Sequence, residues 1–170
     1  QFSISIALKH RGRLEHGLVY DPLREEMFTA SRGAGAQLND RKLRVTARKG
    51  LEGGLLGTGF PYRDHSQLDA YMAMFRALLQ DTAGIRRPGS AALDLAYVAA
   101  GRLDGFWELG LAPWDIAAGV LLVREAGGMV TDIAGGERYL DSGNLIAGGI
   151  KVHNAMLRAI RPTLPPDLRG

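Results

Sequence analysis

The hydrophobic pattern changes its period along this chain, and that change constrains the fold more than any other feature. Over the first fifty residues the apolar positions alternate. Strand-like runs from Phe2 to Leu8, Leu14 to Tyr20 and Glu26 to Ala30 are separated by Lys9-His10-Arg11-Gly12 and Asp21-Pro22-Leu23-Arg24, which carry hairpin chemistry. Gly33-Ala34-Gly35-Ala36 introduces a further short extended piece. Beyond it the pattern alternates between strand and helix. Leu55 to Phe60 reads as a strand, and Leu68, Met72, Phe75 and Leu79 then mark the buried face of a helix that Gly84 stops. Ile85-Arg86-Arg87 forms a short strand or connector. Ser90 caps a helix whose face is Leu93, Ala96, Tyr97 and Ala100, with Gly101 as its stop. Leu103 to Leu109 is a strand. Pro113-Trp114-Asp115 opens a helix with Ile116, Val120 and Val123 inward, closed by Gly127-Gly128. Short strands at Met129 to Asp132 and Asn144 to Ala147 precede a helix over Val152 to Ile160. A meander followed by alternating strand and helix predicts a layered α/β or α+β sandwich.

The chain has 170 residues, enough for one core, so residues 1–160 are read as a single unit and 161–170, rich in proline, as a mobile tail. The absence of cysteine excludes disulfide frameworks, thiolate metal sites and cysteine nucleophiles. No apolar run approaches the roughly 18 to 20 residues that span a bilayer, and no signal-peptide pattern opens the chain, so a cytoplasmic location without membrane contact is expected. The chain starts at Gln1 and enters at once a strand already in progress, which predicts that a segment precedes it.

Charge is uneven. Residues 1–50 hold 10 Lys and Arg against 5 Asp and Glu; the remainder holds 11 against 13. The basic excess (Arg11, Arg13, Arg41, Lys42, Arg44, Arg48 and Lys49) lies in turns and has no interleaved aromatic residues, so a solvated face is favoured over a nucleic-acid patch. The Gly33-to-Ala36 stretch lacks the third glycine of a dinucleotide fingerprint, and neither a Walker loop nor His-Glu-x-x-His occurs. His10, His16, His65 and His153 show no ligand spacing.

Chemistry concentrates in the second half. Asp115 stands in the first turn of a helix, where a carboxylate complements the dipole and the free N–H groups; the same rigid placement suits a hard oxygen ligand for Mg²⁺. Glu108 lies at the carboxyl end of an apolar strand. Alternation points it outward, whereas ligands of open α/β sheets gather beyond those strand ends. Gly89-Ser90-Ala91 opens a helix with small residues, either a plain cap or a cradle for phosphate or hydroxyl groups; Arg86 and Arg87 add donors for a phosphorylated ligand or an interface acid.

Four stretches resemble the inositol monophosphatase family: Gly89-Ser90-Ala91-Ala92-Leu93-Asp94-Leu95-Ala96-Tyr97, Asp104-Gly105-Phe106-Trp107-Glu108, Pro113-Trp114-Asp115-Ile116-Ala117-Ala118-Gly119, and Glu125-Ala126-Gly127-Gly128. Arg86-Arg87 before the first of them is similar to the bacterial SuhB-like branch. The resemblance implies an αβαβα sandwich, of which this chain would hold mostly the carboxyl-terminal two thirds. It also implies Mg²⁺-dependent, lithium-sensitive hydrolysis of a phosphate monoester such as myo-inositol 1-phosphate in a homodimer. On that resemblance Asp115 would be a catalytic metal ligand that also touches substrate, Glu108 would accept a ring hydroxyl, Gly89, Ser90 and Ala91 would line the substrate, and Arg86 would be a substrate or interface residue.

The family's upstream Glu-Glu and Asp-Pro-(Ile/Leu)-Asp-Gly-Thr motifs are not in this sequence; Asp21-Pro22 continues as Leu23-Arg24-Glu25, a meander turn. One carboxylate does not hold a multi-metal site, so the chain alone is expected to be inactive, with the other carboxylates just upstream of Gln1. The same resemblance leaves two other readings. One is a related phosphatase for sugar bisphosphates or nucleotide 3′-phosphates; the other is a regulatory protein binding RNA or transcription machinery.

Overall fold

A computed structural model describes residues 1–61 and 65–169. The first fifty residues form an antiparallel meander of five strands in sequential order: β1 (Ile4–His10), β2 (Arg13–Asp21), β3 (Glu26–Ser31), β4 (Gly35–Leu38) and β5 (Arg41–Lys42). Its tight turns use residues that tolerate left-handed backbone, namely Arg11 and Gly12 (φ 48° and 80°) and Asn39 and Asp40 (φ 44° and 64°). The Asp21 turn is built as its composition predicts. The buried Asp21 carboxylate accepts the N–H groups of Leu23 (3.0 Å) and Arg24 (3.2 Å) and pairs with Arg24 Nη1 at 2.8 Å. Burial alone would raise its pKa, but the Arg24 side chain and the turn amides outweigh burial and hold it below the usual carboxylate range.

The second sheet is mixed, in the order β7 (Thr82–Arg86), β6 (Gly54–Thr58), β8 (Gly105–Glu108), β10 (Leu145–Gly149), β9 (Gly128–Thr131). Strand β6 runs parallel to β7 and β8, so the ends of β6 and β8 that carry Gly59 and Glu108 point the same way. Between the sheets lie α2 (Ala91–Ala99) and α3 (Pro113–Glu125); α1 (Leu68–Leu79) and α5 (Ile150–Ile160) cover the far face, and α4 (Tyr139–Ser142) is a single turn. The layer order is β-α-β-α, a layered α/β fold. One core fills the space around α2 and α3, with Phe28, Leu95, Ile116 and Phe106. A second lies between the mixed sheet and α1/α5, with Trp107, Ile146, Met74 and Met156. The two middle helices cross closely because Gly119 has no side chain: a β-carbon there would stand 2.5 Å from Leu95 Cβ.

Several expected details change. Helix α1 buries Tyr71, Met74 and Leu78, while Leu68, Met72 and Leu79 are exposed; only Phe75 of the expected face packs inward, and partly. The segment is apolar on nearly every side, so two stripes compete, and Tyr71 decides by stacking on Trp107 (centroids 6.3 Å apart) and bonding Thr58 Oγ1 at 3.2 Å. Gly84 does not stop the helix. It lies inside β7. The segment after Arg161 is docked: Leu164 and Leu168 are buried in the second core, each worth about 1.5–3 kcal/mol. Gly170, the last residue of the expected tail, lies outside the described residues.

These elements supply four of the five layers of an αβαβα sandwich. Strand β1 turns Ile4, Ile6 and Leu8 outward, each more than half exposed, in register with Tyr20, Leu18 and His16 of β2. An antiparallel sheet with one solvated face ordinarily presents polar side chains there.

Candidate active site

The carboxyl ends of β6 and β8 meet the amino ends of α2 and α3, and three of the expected features, Asp115, Glu108 and the Gly89-Ser90-Ala91 cap, meet with them. Glu108, Asp115 and Leu111 line two adjoining cavities of about 220 and 420 Å³; the larger also takes in Gly89, Ser90 and Ala91. Residues 7 to 26 apart in sequence thus share one space because strand and helix termini converge on one edge of the sheet.

Each group is fixed by its element. Asp115 sits in the first turn of α3, half-buried, and its Oδ2 accepts the Ala112 N–H at 3.0 Å, so the carboxylate does cap the helix. Capping occupies one oxygen of two, and the carboxylate remains on the cavity wall. Glu108 is not outward as alternation suggested. It is only 7 % exposed, since all four residues of β8 are buried between the two helical layers. Beneath it lies Tyr71, whose hydroxyl is pushed above its ordinary pKa first by burial, with the negative charge of Glu108 adding to it.

Ser90 is the N-cap of α2. Its Oγ accepts the Leu93 N–H and its carbonyl accepts the Asp94 N–H, which leaves the amides of Ala91 and Ala92 at the positive end of the helix. Gly89 adopts φ +100°, a left-handed turn just before the cap, and lines the larger cavity together with Ala91 and Ala92. Ser3 Oγ lies 3.3 Å from Ser90 Oγ and ties β1 to this cap.

Arg86 is not part of this wall. It is exposed, and its Nη1 donates to the carbonyl of Ile85 at 3.3 Å. The next residue takes the place expected of it: Arg87 lines the larger cavity, its guanidinium 5.3 Å from the centroid of the Phe60 ring. One residue of strand end decides which arginine lines the cavity. Sequence reasoning also missed Gly59, Phe60 and Trp114 on the walls.

Asp94 sits one turn into α2, 1 % exposed, with Oδ1 unpartnered, and burial raises its pKa to about 7 despite the nearby Arg87 charge. Among the described residues no cluster of three or more His, Cys, Asp or Glu is arranged to hold a metal. Asp115 and Glu108 are the carboxylates on the cavity wall. Mg²⁺ is commonly held by one or two carboxylates with water and phosphate oxygens completing its octahedron, so Asp115 fits one position of such a site.

Comparison with known proteins agrees with this arrangement. The model of the inositol monophosphatase family matches residues 1–164. The Nus factor SuhB of Pseudomonas aeruginosa is 60% identical over 170 residues, covering 99% of this chain and 63% of that protein. Among solved structures, the extragenic suppressor protein suhB from Bartonella henselae superposes with a TM-score of 0.92 at 47% identity, over 96% of this chain and 63% of that one. The inositol monophosphatase from Anabaena sp. PCC 7120 superposes with 0.91 at 41% identity, over 98% and 69%. The chain therefore spans less than two thirds of the length of its SuhB relatives. With the family model matched across nearly its whole length, the chain belongs to the inositol monophosphatase family.

Proposed function

We propose that the intact protein is a Mg²⁺-dependent phosphate monoester hydrolase acting on myo-inositol 1-phosphate. The observation that carries this reading is the meeting of Asp115, Glu108 and the Gly89-Ser90-Ala91 cap on one cavity. The free amides of Ala91 and Ala92 at the amino end of α2 bind phosphate oxygens. Glu108 accepts a hydrogen bond from a ring hydroxyl, Arg87 over Phe60 contributes positive charge, and the second oxygen of Asp115 holds the metal. When bound, Mg²⁺ supplies an activated water and neutralises the leaving alkoxide. The remaining carboxylate ligands come from outside these 170 residues, so the chain alone is inactive. The protein works as a cytoplasmic homodimer.

Phosphate release from myo-inositol 1-phosphate by the full-length protein, with and without Mg²⁺, tests this. Activity that needs Mg²⁺ and falls at least about a hundredfold in Asp115→Asn is expected. No release, or an unchanged Asp115→Asn enzyme, overturns it. A panel with fructose 1,6-bisphosphate and adenosine 3′,5′-bisphosphate separates the related phosphatases, and lithium inhibition is measured in the same assay.

The similarity to the Pseudomonas Nus factor supports a second reading, a regulatory role on RNA or transcription machinery, through the exposed Arg41, Lys42, Arg44 and Lys49 near β5. Binding that weakens with salt and survives Asp115→Asn is its signature; no binding at low salt overturns it.

A further inference from the structure

A groove of about 640 Å³ lies between the turn after β9, the carboxyl end of α5 and the docked C-terminal segment. It shares no lining residue with the active-site cavities. Its floor is aliphatic: Ile133, Leu157, Pro162 and Leu164. Its rim carries Arg158, Arg161 and Arg169, all exposed, and no acidic residue lines it.

Both walls are held in place. On one side the Asp132 carboxylate accepts the N–H groups of Ala134 (3.0 Å), Gly136 (2.7 Å) and Arg138 (3.2 Å), which fixes the turn that presents Ile133. On the other, Arg169 Nε donates to the Leu164 carbonyl at 2.8 Å, so that guanidinium is set at the rim by the backbone. None of the three arginines has an ion-pair partner among the described residues, although five other arginines do. Arg158 and Arg161 meet the negative end of the α5 dipole, and Arg169 is held by its bond to the Leu164 carbonyl. Three like charges around one apolar floor repel one another, and an acidic occupant turns that repulsion into attraction.

We propose that this groove docks an acidic peptide segment of a partner protein, one bulky apolar side chain of the peptide resting on Ile133, Leu157 and Leu164 while its carboxylates face Arg158, Arg161 and Arg169. Single-stranded nucleic acid fits less well, because no aromatic ring lines the groove to stack a base. The inference does not depend on the phosphatase reading.

The test is fluorescence anisotropy on the full-length protein, with a fluorescein-labelled peptide of glutamates flanking a central Leu-Phe pair. Saturable binding is expected. It should weaken about tenfold or more in Arg158→Glu/Arg161→Glu, and comparably when the Leu-Phe pair is replaced by alanines. Circular dichroism and phosphate release should stay at wild-type level in the double variant, since neither arginine touches the active-site cavities. Absence of saturable binding overturns the proposal, as does binding indifferent to either change. Tighter, arginine-dependent binding of a labelled oligouridine or of phosphatidylserine vesicles overturns the peptide as occupant.

Discussion

Gly59 and Glu108 form a matched pair at the neighbouring ends of β6 and β8: a β-carbon on Gly59 would overlap the Glu108 carboxyl group. The carboxylate occupies the volume that any other residue at 59 would fill. Gly59→Ala should therefore displace Glu108 and cost about 1–3 kcal/mol of stability. If the full-length protein hydrolyses myo-inositol 1-phosphate with Glu108 as the hydroxyl acceptor, as proposed, KM should rise more than kcat falls, because Glu108 moves while Asp115 does not. Unchanged kinetics would show that Glu108 makes no contact that matters for substrate.

Asp115 serves α3 through Oδ2 and the Ala112 N–H. Asn at this position keeps an acceptor oxygen but loses the charge, so urea titration should find Asp115→Asn weaker by only about 0.3–1 kcal/mol. A stability loss several times larger would mean that any drop in activity reflects unfolding rather than the site.

Burial holds the Asp94 carboxyl near 7, well above its ordinary 3.8. Between those values the folded state carries the proton that the unfolded state has released, so this group makes stability fall as pH rises from about 4 to about 7, and the loss persists above. Asp94→Asn removes the titration and should stabilise the protein by on the order of a few kcal/mol at pH 8 and by little at pH 4. Equal effects at both pH values would contradict this.

His153 has the opposite sense. It is fully buried with Nδ1 unpartnered and Nε2 at 2.9 Å from Thr131 Oγ1, and burial lowers its pKa below 6.5. The unfolded chain thus takes up this proton first; stability is complete above about 6.5 and is lost as pH falls below it. Thermal melts between pH 7.5 and 5 should show a shallower acid decline in His153→Gln than in wild type.

The outward side chains of Ile4, Ile6 and Leu8 give the 170-residue chain an apolar sheet face. In isolation it should bind 8-anilinonaphthalene-1-sulfonate, and the triple substitution of Ile4, Ile6 and Leu8 by Ser should abolish most of that fluorescence. The full-length protein should bind the dye weakly if a further segment covers this face.

Much of the fold was legible because local rules set it. Asp21-Pro22-Leu23-Arg24 makes its turn from its own hydrogen bonds, and Ser90 and Pro113 start helices through caps and fixed φ. The site was legible as residue types and less so as directions. Alternation points Glu108 outward, but that rule applies to a strand with one wet face, and β8 has none. Arg86 and Arg87 are indistinguishable by type and differ only in where the strand end turns them. The α1 stripe was misassigned because its neighbours, not its spacing, chose between two apolar faces.

By itself the sequence determined the order of strands and helices, that they form layers, and which short stretches carry the chemistry, since caps, turns and periodicity act within a few residues. Only the tertiary structure decided which of those groups share a cavity. Asp115, Glu108, Ser90 and Arg87 meet because β6 and β8 run parallel and deliver their ends to the amino termini of two helices. That convergence is a property of sheet order, and sheet order is set by long-range burial that no local window of residues encodes.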